Sequence, residues 1–463
     1  MNRTDNRISY WLLALICLLL NIRTHAEPVP SRGPVVIISM DGLAAFYLSD
    51  PKADLPTLRQ LANEGAFAER MEASLPTMTW PNHTTLITGV TPAKHGVIGN
   101  RYWNRDAQKN IQLIPDPFYD KDEIVKAPTL YDIAHEAGLK TAAICWPASR
   151  GAKTLDWTFP DVQKNQLFQK YATPSFLAEC KAAGIPVEKQ EEWSRQPDGG
   201  ELRDKMYTQM VINALTNHHP NLVLLHLVEI DHKEHAFGPR SAEAYNAVHF
   251  DDACVNEILQ TLKTHFGASA TLFVVSDHGF ATVRQQILPN VKLRQAGLLK
   301  SGAKGNDRRV FSVDQGGTTF IYITDKEHRS KLIDKAADAF KGVDGIDKII
   351  KPEEFHKHGL LTADEDPHMP DLILTAKNGY SFSDDAIGDT VVSEKSAQIK
   401  GNHGHSPTLP DLYATFIAWG SGIKPGTKIQ EIKNVDVAPT AAALLGISMP
   451  NADGHVLKEI LTR

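Results

Sequence analysis

Four apolar, β-rich runs separated by helical stretches leave this chain few ways to fold. The runs are Val35-Val36-Ile37-Ile38, Thr141-Ala142-Ala143-Ile144, Leu222-Val223-Leu224-Leu225 and Leu272-Phe273-Val274-Val275. None alternates polar with apolar residues, so a strand built from any of them has to be buried on both faces, as strands of a parallel sheet are. Helical patterns lie between them, at Pro56–Glu64, 129–137, 204–216 and Ala242–Phe266. Strand–helix alternation predicts an α/β fold: a mostly parallel sheet with helices on both faces.

Two stretches break the alternation. Residues 159–203 are polar, rich in Lys, Gln and Glu, and short of strands. Residues 281–395 carry short strands and helices, including a strand at 318–324 and a helix near 327–340. Both read as cap or subdomain insertions into one α/β domain spanning 27–463. The core style returns at 411–418 and in a small-residue helix at 438–445, closed by Gly446.

The N-terminus has another purpose. Arg3 and Arg7 precede a ten-residue apolar run, WLLALICLLL. A bilayer needs roughly 20 apolar residues, so the run is too short to span one. Thr24-His25-Ala26 then offers a small residue for cleavage, and residues 1–26 read as a cleaved signal peptide of a secreted or periplasmic protein. Cys17 lies in the run, but Ala14-Leu15-Ile16 before it is a poor lipoprotein box. Cleavage removes three arginines and one aspartate and moves the formal charge from -6 to -8. A mildly acidic surface is not built to hold a nucleic-acid backbone. Cys145, Cys180 and Cys254 remain, enough for one disulfide at most and too few for a disulfide scaffold. No other stretch is apolar enough to cross a membrane.

Seven residues scattered along the chain suit metal chemistry: Asp41, Thr79, Asp231, His235, Asp277, His278 and His403. Asp41 follows the first strand in Ser39-Met40-Asp41-Gly42, where open α/β sheets bind ligands. Asp231 and His235 follow the Leu222 strand and, four apart, share one face of a helical turn. Carboxylate plus imidazole suits zinc. Asp277-His278-Gly279 sits at the end of the Leu272 strand. His403 stands in Gly401-Asn402-His403-Gly404-His405, where glycines let the backbone carry an imidazole into a crowded site; His405 competes for the role. Thr79 is the candidate nucleophile, with Pro81 fitting the first turn of a helix that runs on through Thr84. A helix N-terminus and a metal both favour its alkoxide. Thr77, Thr84 and Thr85 are local competitors. Taken singly, each residue has an ordinary explanation, such as an Asp-Gly turn, a solvated histidine or a capping threonine. Most of the 19 histidines, His226 and His232 among them, are read as structural or solvated.

Taken in order, these segments resemble the type I phosphodiesterase/nucleotide pyrophosphatase family of the alkaline phosphatase superfamily. The resemblance rests on SMDG, TMTWPNH, Thr88-Gly89 with Pro92 and His95-Gly96, Asp231-x-x-x-His235 before Phe237-Gly238-Pro239, SDHG, the late His-Gly, and Asp436-Val437-Ala438-Pro439-Thr440 with Leu444-Leu445-Gly446. It covers roughly 34–165, 220–282 and 400–448, and leaves 281–395 without a match. It implies an alkaline-phosphatase-like fold and two zinc ions per chain. Asp231, His235 and His403 would hold one ion; Asp41, Thr79, Asp277 and His278 would hold the other. It also implies a covalent phosphothreonine on Thr79 and a hydrogen bond from Asn100 to a phosphoryl oxygen. Trp80 matches an aromatic that stacks a nucleotide base in the family, and reads equally well as plain packing beside Pro81. Its partner tyrosine is replaced here by Gln163, and Phe159 or Phe168 are the aromatics near enough in sequence to compensate. The expected substrate is a small phosphodiester or nucleotide.

Three alternatives stand beside this. Sulfatases use C/S-x-P-x-R, and Cys145-Trp146-Pro147-Ala148-Ser149-Arg150 has one residue too many before its arginine. Related phosphate monoesterases carry a Lys-x-Arg pair that is absent from this region, although Arg150 and Lys153 are nearby. A non-catalytic binding protein with a decayed site conflicts with every ligand position being filled.

Overall fold

The computed structural model describes residues 33–116, 119–302, 308–394 and 400–462. The signal-peptide segment 1–26 lies outside the described residues. The eight strands of the main sheet are β1 (Val35–Met40), β2 (Ala66–Glu72), β3 (Thr141–Trp146), β4 (Trp157–Pro160), β5 (Leu222–Leu227), β6 (Thr271–Val275), β7 (Ala414–Gly420) and β8 (Thr427–Lys433), in spatial order β8-β2-β7-β6-β1-β5-β3-β4. β6, β1, β5, β3 and β4 run parallel, and β7 is antiparallel to both of its neighbours. This is the α/β, alkaline-phosphatase-like architecture expected.

Strand β1 shows why its sequence is apolar throughout. Val36, Ile38 and Met40 point into one core, while Val35 and Ile37 point into another. The first core is closed by Leu58, Met206, Met210, Val248 and Ile258 of three helices, Pro56–Glu64, Gly199–His218 and Ala242–Phe266. The second is closed by Leu86, Ile87, Leu130, Val437 and Ala441 from the helices Thr79–Thr88, Leu130–Glu136 and Val437–Leu445. Each fully buried aliphatic side chain contributes ~1.5–3 kcal/mol, so a polar residue on either face of β1 would be costly.

The segment 159–203 is helical and belongs to the main core. Phe159, Phe168, Phe176 and Cys180 are all buried in the first core cluster. Its polar composition reflects outer helix faces; the apolar anchors are few but fully used. The segment 281–395 has a core of its own. Val310–Gln315, Thr318–Ile323, Leu372–Ala376 and Ile346–Ile350 form an antiparallel four-stranded sheet backed by the helix Arg329–Phe340. Its apolar residues cluster with Leu75, Ile98 and Trp103, which seat it on the main unit. Cys145, Cys180 and Cys254 are free and buried. No helix among the described residues is long and apolar enough to cross a membrane.

Candidate active site

The carboxyl ends of three adjacent parallel strands, β6, β1 and β5, deliver five of the expected side chains. Asp41 follows β1, and its amide donates to the Leu227 carbonyl at the end of β5, 2.9 Å away. Gly42 turns the chain at φ +75°, and its amide donates to Asp277 Oδ1 at 3.2 Å. Asp231 and His235 lie one turn apart on the helix Glu229–Phe237, directly after β5. Asp277 and His278 directly follow β6. His403 returns through the neck of the 281–395 segment, where Ala281 pairs with Asn402 and Thr282 with Gly401 in antiparallel register. Closing that neck sets His278 beside His403, their rings stacked with centroids 3.8 Å apart and planes 11° apart. A Cβ on Gly404, at φ +89°, would run into the Gln315 carbonyl oxygen, so this turn requires glycine.

The candidate donor atoms fall into two groups, Asp231/His235/His403 and Asp41/Asp277/His278, with the atoms of each group within 4.8 Å of one another. Asp231 Oδ1 is 3.4 Å from His235 Nε2 and 3.5 Å from His403 Nε2. His278 Nε2 is 3.5 Å from Asp41 Oδ1 and 3.1 Å from Asp277 Oδ2. Donors about 2.0–2.1 Å from a tetrahedral zinc stand about 3.3–3.4 Å apart, so these spacings fit that ion. Four of the same atoms, Asp41 Oδ1, Asp231 Oδ1, Asp277 Oδ2 and His278 Nε2, are buried without a hydrogen-bond partner. Each orphaned group costs ~1–3 kcal/mol or more, a cost that a bound cation removes. The other ring nitrogens are already engaged: His403 Nδ1 donates to the Thr77 carbonyl at 2.8 Å and His278 Nδ1 to that of Gly279 at 3.1 Å. Each Nε2 lone pair is thereby turned toward its group.

Burial pushes the His403 imidazole well below its ordinary pKa, helped by His278 and His235, and keeps it neutral as a ligand must be. Burial also opposes ionisation of Asp277, but the His278 and His83 imidazoles outweigh it and hold that carboxyl far below the usual range. Burial, followed by repulsion from Asp277, pushes Asp41 well up.

Thr79 opens the helix Thr79–Thr88 and is 5 % exposed. Its neighbours tie it to both groups. The Thr77 carbonyl holds His403 and the Gly404 amide. His83 Nδ1 bonds the Thr79 carbonyl at 2.9 Å and lies 3.5 Å from Asp277 Oδ2. The competing hydroxyls are spent on carbonyls: Thr77 on His405, Thr84 on Trp80 and Thr85 on Pro81. Thr79 Oγ makes no hydrogen bond among the described residues. His405 belongs to neither group, its Nε2 2.7 Å from the Tyr380 carbonyl oxygen.

Asn100 Oδ1 accepts from the Trp80 amide at 2.9 Å, which orients the side chain and leaves Nδ2 as a donor at the start of the Thr79 helix. Trp80 itself is 1 % exposed, packed with Val97, Ile111, Leu113, Ile124, Val125 and Ala148; a base stacks on this indole only after that packing opens. Phe159 and Phe168 are core residues, 0 % and 1 % exposed, and offer no stacking face. Arg150 is engaged with Asp120 and stacked over Tyr171. Sequence reasoning passed over His226 and His83. His226 interrupts the apolar run of β5, and its ring nitrogens lie 3.0 Å from Asp41 Oδ2 and 3.1 Å from the Cys145 carbonyl oxygen. A histidine breaking a fully buried strand was the available signal, because it needs polar partners inside.

Known proteins resemble the chain over nearly all of its length. The sequence profile of type I phosphodiesterase/nucleotide pyrophosphatase matches residues 35–406, running through the 281–395 segment. Ectonucleotide pyrophosphatase/phosphodiesterase family member 7 of Mus musculus is 23% identical over 450 residues, 96% of this chain and 90% of that protein. Venom phosphodiesterase CdcPDE of Crotalus durissus collilineatus is 24% identical over 442 residues, 92% of this chain; the chain spans 47% of that relative's length. Among solved structures, murine ectonucleotide pyrophosphatase/phosphodiesterase 5 superposes with a TM-score of 0.69 at 20% identity, over 93% of this chain and all of that one. An inactive threonine-to-alanine variant of that murine protein, in complex with AMP, gives the same score. The chain therefore belongs to the type I phosphodiesterase/nucleotide pyrophosphatase family, hydrolases that act on phosphoric ester bonds.

Proposed function

We propose that this chain hydrolyses small phosphodiester or pyrophosphate bonds, with Thr79 as the nucleophile and two zinc ions as cofactors. The observation that carries the reading is the pair of donor groups joined by the Thr77–His83 segment, one buried and the other half-buried, with four donor atoms that no protein group satisfies. Asp231, His235 and His403 would hold one ion; Asp41, Asp277 and His278, together with Thr79, would hold the other. Bound zinc supplies positive charge that favours the Thr79 alkoxide, offsets charge on the leaving oxygen and acidifies water.

The chain's own residues account for the rest of the chemistry. Thr79 Oγ attacks phosphorus, the P–O bond to the leaving alcohol or phosphate breaks, and that group departs with the bonding pair. Asn100 Nδ2 donates to an equatorial oxygen from an amide already fixed by the Trp80 N–H, so little reorganisation is needed. Water then attacks the phosphothreonine, releasing the monoester and restoring the hydroxyl. The inactivity of the murine threonine-to-alanine variant supports a threonine nucleophile. Its bound AMP and the family description support a nucleotide-sized substrate. Residues 1–26 are proposed to direct export, in keeping with the venom and ecto-enzyme names of the relatives.

The test compares kcat/KM for p-nitrophenyl phosphate, its bis ester and p-nitrophenyl-TMP on the zinc-loaded chain. Both diesters are expected to exceed the monoester by at least tenfold. A monoester preference would overturn the diesterase reading. Equal rates with the two diesters would exclude a nucleotide subsite and leave a general diesterase.

A further inference from the structure

The helix Glu229–Phe237 carries two ligands but cannot cap itself. Its N-cap residue is Val228, which has no side-chain acceptor. The first amides of a helix lack intrahelical partners and need one from elsewhere. They find it in Asp204, 24 residues earlier on a different helix, Gly199–His218. Asp204 Oδ2 accepts from the Val228 amide at 2.9 Å and the Glu229 amide at 2.8 Å, and Oδ1 lies 3.0 Å from the Val228 amide. The carboxylate is fully buried. It fixes the height and rotation of the helix on which Asp231 and His235 stand two and six residues beyond Glu229.

We propose that Asp204 is a positioning residue for the first metal group, holding Asp231 and His235 in register with His403 by capping their helix from outside. The inference rests on the two-zinc reading. It goes beyond that reading by naming a residue that touches neither metal nor substrate yet sets the affinity of one group of ligands and leaves the other alone. Groups that orient metal ligands from behind typically change metal affinity 10–100-fold when removed.

The fold supplies a matched control. Asp252 is also buried and caps another helix, Pro56–Glu64, in the same way, accepting from the Thr57 and Leu58 amides at 3.0 and 2.8 Å. That helix carries no ligand. The experiment compares wild type, Asp204→Ala, Asp204→Asn and Asp252→Ala in the full mature chain. Zinc per chain is measured after dialysis against buffers of graded free zinc, alongside the denaturant midpoint. For Asp204→Ala one step of the zinc isotherm is expected to move at least tenfold to higher free zinc, the other step staying in place. Asp204→Asn, which keeps a carbonyl acceptor, should fall between. Asp252→Ala should lose comparable stability and bind zinc as wild type does.

Coincident isotherms for wild type and Asp204→Ala, or an equal shift in Asp252→Ala, would overturn the proposal. If Asp204→Ala does not fold, an unshifted Asp204→Asn overturns it and a shift of threefold or more supports it. A wild-type chain that binds no zinc overturns the metal reading and this inference together. A wild type that binds two ions, with no selective loss in the Asp204 variants, removes the inference alone.

Discussion

Substituting Asn100 separates what the side chain does for the fold from what it does for the reaction. Its Oδ1 accepts from the Trp80 amide at 2.9 Å, and its Nδ2 is assigned to the phosphoryl group. Asn100→Ala removes both. The lost helix-terminal hydrogen bond costs about 1 kcal/mol of stability, and the lost transition-state donor about 2.7–4 kcal/mol, or 10²–10³ in kcat. Asn100→Asp keeps the acceptor and adds negative charge at a helix N-terminus, which is neutral to stabilising by about 0.3–1 kcal/mol. It also replaces the donor with a carboxylate facing the phosphoryl oxygens, so its kcat should fall at least as far as that of the alanine variant. The two quantities therefore move apart: Asn100→Asp is as stable as wild type and nearly inactive. Denaturant midpoints and kcat with bis-p-nitrophenyl phosphate at saturating zinc measure both. If Asn100→Asp keeps more than a tenth of wild-type kcat, or if activity follows stability across the two variants, the donor role is wrong.

Three further outcomes follow from the same geometry. Thr79→Ala should bind zinc within a few-fold of wild type and lose turnover altogether, read by zinc content and by the absence of a phosphorylated or nucleotidylated Thr79 peptide after acid quench. Gly404→Ala forces a Cβ into the Gln315 carbonyl at a left-handed φ and displaces His403; ligand positions tolerate about 0.2 Å, so it should lower zinc content and cut kcat/KM by ~10²-fold. His95 should make stability depend on acid. Burial depresses its imidazole to about 3, while its Nδ1 accepts from the Val97 amide. Its folded pKa lies below the unfolded one of about 6.5, so its contribution is complete above pH 6.5 and is lost as pH falls toward 3. By pH 5.5 that loss is about 1 kcal/mol, and a flatter stability profile in His95→Gln than in wild type, measured from pH 7.5 to 5.5, is the check.

The features carried by apolar run length and chain order could be read before the structure. The helices Pro56–Glu64 and Ala242–Phe266 have the bounds that periodicity implied, and β1, β3, β5 and β6 lie where their apolar runs placed them. The six candidate donors that the fold brings together stood out because each follows such a run or sits among glycines. What escaped detection depends on partners distant in sequence. Strands β2 and β8 are half-exposed, Ala66–Glu72 and Thr427–Lys433, and their charged outer faces hide the strand pattern. The 159–203 segment looked like an insertion because its anchors, among them Phe159, Phe168, Phe176 and Cys180, are spaced singly through polar sequence. Asp204 gave no local sign of its contacts, since the Val228 amide lies 24 residues away in the chain, and His226, although it breaks an apolar strand, does not by itself point to Asp41. Stacking and plain packing could not be told apart for Trp80 from the sequence because the residues that bury it lie 17 to 68 positions later.

The two donor groups are expected to bind two divalent ions on either side of the Thr77–His83 segment. Anomalous diffraction at the zinc edge, from crystals of the zinc-loaded chain, tests it most directly. Two peaks are expected, one inside Asp231, His235 and His403 and one inside Asp41, Asp277 and His278. A single peak, or zinc bound elsewhere with both groups empty, would contradict it.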